Sequence, residues 1–199
     1  MDITHGSILA VFFSANAVER HEGLSWYGRA QALARHLSDQ YGTGVCVTAG
    51  VIAALSPNNR WERNVIDAEA LIRAYTYGEN VDALKVCTFS KNKAKAITIL
   101  QGADPLDVLG GRKVRAFYQC IVGQDSVCVD GHAYSIWLGQ RVTTNKTPKI
   151  SDKLYDRISE DYRIATKQIN EITGDFYLPS QAQAITWVAW RNLHSGAAQ

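Results

Sequence analysis

Two side chains are suited to covalent and proton chemistry at one place. Lys113 stands seventeen residues before Asp130. One helix and a short return segment fit that interval, so the amine and the carboxylate can meet at a cleft. An amine withdrawn from water is a nucleophile, and a carboxylate beside it activates it or stabilises a developing cation. His132 follows two residues on. It can orient a group in the same cleft or serve as an ordinary structural histidine. Asp130 also stands where an N-cap would, ahead of an apolar run. That role alone contributes on the order of 1 kcal/mol, and a cap and a catalyst are compatible.

Around the first member of this pair lies the chain's excess charge. The formal net charge is only +2 over 199 residues. Residues 1–84 carry net −3 and residues 116–199 balance, whereas residues 85–115 carry net +5. That block holds Lys91, Lys93, Lys95, Arg112, Lys113 and Arg115 around a Gly110-Gly111 turn. Lys91 and Lys95 sit four apart, a like-charge spacing that slightly destabilises an isolated helix. A cluster kept against that penalty reads as a phosphate-binding face; otherwise it is a solvated helix. Two helices around a glycine turn can also present backbone N–H groups to a phosphate. The total therefore excludes a protein basic all over, yet permits a narrow phosphate-binding strip.

The elements that must place these groups are helical by period. Ala17 to Tyr41 repeats apolar residues at three- and four-residue steps and stops at Gly42-Thr43-Gly44. Val45 to Leu55 is almost wholly apolar and small, which reads as a buried helix. Further helices are predicted over Asn64–Tyr75, Asn80–Val86, Lys91–Leu100 and Lys113–Val122, with a proline-opened turn at Asp104-Pro105. Ser126 to Val129 reads as briefly extended, followed by a helix over Gly131–Gly139 and a polar loop over Gln140–Lys149. Two last helices are predicted over Ser151–Ile172 and Pro179–Leu193. The final one carries Gln183, Trp187, Trp190 and Arg191. Its tryptophans read as core, or as part of a helix covering a pocket to which Gln183 or Arg191 donates. The predicted class is mainly α with many short helices. The 199 residues form one compact domain, or two lobes around a cleft.

Composition removes other classes. The chain is 46% hydrophobic, too apolar for a disordered chain. No run approaches ~20 apolar residues, so no membrane helix is expected. The apolar patch Ile8–Phe13 lacks a basic leader and runs on into charged helical sequence, so a signal peptide is not expected. Cys46, Cys87, Cys120 and Cys128 are widely and irregularly spaced, with no C-x-x-C pair. They read as reduced, buried thiols of an intracellular, cytoplasmic protein rather than as zinc or iron–sulfur ligands. Neither a metal nor a cofactor is expected.

Four segments in order resemble helix-hairpin-helix DNA glycosylases of the endonuclease III type. Leu109-Gly110-Gly111-Arg112-Lys113-Val114 is similar to the family's hairpin, and Val129-Asp130-Gly131-His132-Ala133 to its V-D-x-H segment. Phe89 to Ile97 is similar to its N-S-K-A stretch, and Ala54-Leu55-Ser56-Pro57-Asn58-Asn59 to the segment after its buried helix. The match covers roughly residues 45–140, with the helices over 151–193 completing the fold. The pattern also resembles small phage-associated members of this superfamily that lack an iron–sulfur cluster. The proline of the usual hairpin has no counterpart here. The resemblance implies a two-lobed helical fold with a cleft between lobes, DNA as partner, base flipping and cleavage of an N-glycosidic bond. It implies that Asp130 is the catalytic aspartate and that Lys113 attacks the sugar C1′ or, in another register, contacts a phosphate. Gly110 and Gly111 then form the phosphate-binding turn. Asn58 and Asn59 enter the gap left by a flipped base. Two further functions stay open: an enzyme acting on hypermodified pyrimidines, and a non-catalytic helix-hairpin-helix DNA-binding module.

Overall fold

A computed structural model describes residues 4–143 and 146–195. They include ten α-helices and a 3-10 turn at Val81–Ala83, with no strand among the described residues. The chain is mainly helical, as its periodicity implies. It divides into two compact units. One is continuous, Arg29–Gln124; the other joins the residues up to Gly28 to those from Asp125 onward.

The continuous unit is built around α3 (Val45–Leu55), in which eight successive residues from Thr48 to Leu55 are buried. A helix apolar on every side must be covered on every side. The cover comes from α4 (Trp61–Thr76), α5 (Ser90–Leu100), α6 (Pro105–Val108) and α7 (Arg112–Ile121). Gly50 makes the closest approach possible. A Cβ there would lie 2.9 Å from Pro105 Cγ and 3.1 Å from Ile99 Cγ2.

The loops of this unit are held by a buried carboxylate. Asp67 of α4 accepts from Arg63 Nε at 2.9 Å, Asn59 Nδ2 at 3.1 Å and the Cys87 backbone N–H at 2.7 Å. Burying a carboxylate is tolerable only with such donors. Thr88 Oγ1 donates to the Pro57 carbonyl, and Asn92 donates to Thr88 Oγ1. The Ser56–Arg60 loop is thereby fastened to the entrance of α5. The helix expected over Asn80–Val86 shrinks to one 3-10 turn, Val81–Ala83, capped by Asn80. It ends where the backbone turns extended at Leu84 (φ −69°, ψ 130°), and Lys93 Nζ donates to the carbonyls of Asp82 (2.8 Å) and Leu84 (2.7 Å).

The discontinuous unit contains α1 (Thr4–Ser14), the start of α2 (Ala17–Tyr41), α8 (Gly131–Leu138), α9 (Asp152–Thr173) and α10 (Pro179–Ser195). The apolar patch near the start is the helix α1, which sequence reading did not assign as an element. Its Phe12 is fully buried with Ile169, Ala182 and Ile185. The turn into α2 is a reciprocal cap: Asn16 Oδ1 accepts from the Glu19 N–H (3.0 Å), and Glu19 Oε2 from the Asn16 N–H (2.9 Å). At Gly23 the backbones of α2 and α10 meet. A Cβ there would fall 2.4 Å from Ile185 Cα. The cysteine expectation needs correction: Cys120 and Cys128 are buried, but Cys46 and Cys87 are exposed. Cys46 lies in the first turn of α3 and Cys87 in the loop before α5, where no apolar layer covers them.

Candidate functional site

The discontinuous unit holds Asp130 in a fixed setting. Val127, Cys128 and Val129 are buried in a segment without regular secondary structure, and Tyr155 of α9 pins them. Its hydroxyl donates to the Val127 carbonyl at 2.8 Å and accepts from the Val129 N–H at 3.1 Å. The chain then turns into α8 at Asp130, whose Oδ1 accepts the Ala133 N–H at 2.8 Å. Asp130 is the N-cap that the sequence placed there. It is half-buried, with its charge at the positive end of α8. Its field also reaches Tyr162, a fully buried tyrosine of α9. Burial pushes that phenol far above its ordinary range, and the Asp130 charge pushes it further.

Two residues beyond Asp130, His132 joins a cluster of rings. His132, exposed in the first turn of α8, meets Trp187 of α10 edge-on with centroids 6.3 Å apart. Trp26 of α2 meets the same Trp187 at 6.1 Å. Arg191, one turn along α10, lays its guanidinium 4.4 Å from the Trp187 centroid. Below this layer Gln183 is buried, and its amide oxygen accepts from the Tyr27 hydroxyl at 3.2 Å. Trp187 stays half-buried, while Trp190 is buried as a core residue. His132, Trp187 and Arg191 come together as one cluster, with Gln183 on the same face of α10.

The basic strip belongs to the continuous unit. Gly111 is the N-cap of α7 at φ 81°, a left-handed conformation suited to glycine, and gives that helix no side-chain cap. Gly110 lies against Lys95. A Cβ at Gly110 would stand 2.9 Å from Lys95 Nζ. Arg115 Nε donates to the Leu109 carbonyl at 2.7 Å and ties the turn to α7. Arg112 and Lys113 occupy the exposed first turn of α7. Lys113 is thus not a desolvated amine, the state in which lysine is the better nucleophile. Lys91 is exposed, with its ammonium 5.7 Å from the Phe89 centroid.

Two expected DNA contacts are otherwise engaged. Lys93 is half-buried and bound to the carbonyls of the 3-10 turn, which removes it from the phosphate-facing set. Asn59 donates to Asp67 and to the Leu55 carbonyl, so it holds its loop rather than entering a base gap. Its neighbour Asn58 is exposed at φ 57°, the tip of the turn.

The profile of a family described as "Family of unknown function (DUF7178)" matches residues 2–194. The chain belongs to this family. No curated protein and no solved structure matches it. The DUF7178 match spans both units, so the family pattern includes the Asp130 region as well as the basic strip. Among the described residues of this DUF7178 chain, no group of three or more His, Cys, Asp or Glu side chains is placed to hold a metal ion. No helix is long and apolar enough to cross a membrane. Sequence reading missed Trp26, Tyr155 and Tyr162. The signal available for the tyrosines was their seven-residue spacing, which puts both on one face of α9.

Proposed function

We propose that this protein binds DNA, flips a base out of the stack and cleaves its N-glycosidic bond, within a two-lobed helix-hairpin-helix glycosylase-like fold. The observation that carries the reading is the Asp130 setting. A half-buried carboxylate is held by the Ala133 N–H and the Tyr155-pinned segment, in the same unit as a cluster of rings to which His132, two residues on, belongs. In this reaction the C1′–N bond breaks and its electron pair leaves with the base. Asp130 stabilises the oxocarbenium-like sugar. Water then adds to C1′, and its proton is passed by way of the Asp130 carboxylate to the departing base. The exposure of Lys113 favours the phosphate-contact role, with Lys95, Arg112 and the Gly110-Gly111 turn beside it, and leaves water as the nucleophile.

The test uses duplexes carrying uracil, oxidised, alkylated or hypermodified bases, read for abasic product. At least one is cleaved, and Asp130→Asn lowers the rate ~100-fold or more while keeping the cap. Borohydride traps no adduct through Lys113; a trapped adduct makes Lys113 the nucleophile instead. Product formation confined to hypermodified pyrimidines assigns the enzyme to base modification.

A second reading rests on the fact that Asp130 is already satisfied as a cap. In that case the protein is a non-catalytic DNA-binding module. Asp130→Asn then leaves all behaviour unchanged, and neutralising Lys91 and Lys95 weakens DNA binding and flattens its salt dependence.

A further inference from the structure

We infer that Trp26, Trp187, His132 and Arg191 form a stacking surface for an unpaired nucleotide, and that Gln183 reads a carbonyl oxygen of its base. The inference rests on the nucleic-acid side of the proposed function but not on its cleavage chemistry.

A helix face built only to fill a core buries its rings. Here the burial runs the other way as the face turns outward. Tyr27 and Gln183 are buried, Trp26 and Trp187 are half-buried, and the two groups that carry or can gain positive charge, Arg191 and His132, are exposed. Three elements, α2, α8 and α10, each send a ring to one spot. Their edge-to-face contacts and the Arg191 guanidinium 4.4 Å from the Trp187 centroid gather indole, imidazole and guanidinium groups at one half-buried place.

The chemistry selects the ligand class. Indole rings stack on any nucleobase, and a guanidinium held over an indole adds a cation to the stack. Arg191 and His132 flank the ring layer at its exposed side, where a nucleotide's phosphate needs a donor. At the buried end the Tyr27 hydroxyl occupies the amide oxygen of Gln183. That fixes the sense of the amide, so its NH2 is the end offered to a ligand. A donor at that depth pairs with a carbonyl oxygen, as in thymine or uracil, and is opposed by an amino group placed at the same point.

The experiment titrates Asp130→Asn protein with oligothymidylate and with oligodeoxyadenylate, following tryptophan fluorescence. The inference expects quenching by both, with tighter binding of oligothymidylate. Trp187→Leu loses most of the quench and weakens binding ~5-fold or more, the fold-change of removing one stacked base. Arg191→Ala and His132→Ala substitute exposed residues and keep the fold, as circular dichroism checks. Arg191→Ala weakens binding several-fold, and Arg191→Lys restores only part of it. Gln183→Glu, which replaces the donor end by an acceptor, removes the preference for oligothymidylate. Unchanged affinity in both Arg191→Ala and Trp187→Leu overturns the surface, as does binding without any quench. Those outcomes are distinct from failure of the cleavage reading, which is decided by abasic product from the unsubstituted protein.

Discussion

At the scale of single residues, burial decides which polar groups act on the protein and which act for it. Asp67, Asn59 and Lys93 carry the same chemical groups as Asp130, Asn58 and Lys91, yet each is consumed by its own fold. Tyr118 of α7 makes the point measurable. Burial, reinforced by its contact with Cys46, pushes its phenol from an ordinary value of 10.0 up to about 12. A phenol whose folded value is raised stabilises the fold fully below pH 10, where both states keep the proton. The stabilisation is lost as pH rises from 10 to about 12, because the unfolded chain ionises first. The melting temperature therefore falls over that window. Tyr118→Phe removes part of the fall, and absorbance titration of the native protein shows one fewer late-ionising tyrosine. An alkaline slope unaltered by Tyr118→Phe would contradict this account.

At the scale of elements, close approach is what a substitution can probe. Gly23 lets α2 and α10 meet backbone to backbone, and no side-chain rotation can relieve a Cβ placed 2.4 Å from Ile185 Cα. Gly23→Ala is expected to destabilise the protein by about 3 kcal/mol in urea unfolding. Gly28→Ala, in the same helix and facing open space, is the control and is nearly neutral or slightly stabilising. Equal stability of the two variants would mean the helices separate easily there. The elements themselves were largely legible. Periodicity gives α2 and α3 their bounds from Ala17 to Tyr41 and from Val45 to Leu55, because long apolar patterns with glycine stops override local noise. Two short elements were not. The apolar patch of α1 has no polar face to betray a helical period, and the 3-10 turn ends at an extended Leu84 whose carbonyl accepts from Lys93, a residue twelve positions beyond the start of the turn. The candidate site was legible in part. Asp130 as an N-cap follows from local chemistry, but Tyr155, Trp26 and the Asp67 network join residues far apart in sequence, and no local pattern encodes such meetings.

At the scale of the whole molecule, the two units carry separate cores, and each holds one buried thiol. Cys120 lies in the continuous unit and Cys128 in the discontinuous one, while Cys46 and Cys87 are exposed. A thiol reagent applied to the native protein modifies two cysteines rapidly, and mass mapping places them at positions 46 and 87. Cys120 and Cys128 react only when denaturant opens the core around each, so pulsed labelling reports each unit by its own residue. Fast reaction of either in native buffer would show that its core is not closed.

The division of the chain also has a consequence during synthesis on the ribosome. Domains generally fold as units, in the order in which they emerge. The continuous unit is complete once Gln124 has left the exit tunnel. The first helix emerges earlier still, but its partners for Ile8 and Phe12 lie in α8, α9 and α10, at the other end of the chain. Until α8, α9 and α10 are made, those side chains have no native cover. Helix α1 therefore waits for partners made long after it, and the unit that carries Asp130 is the last to assemble.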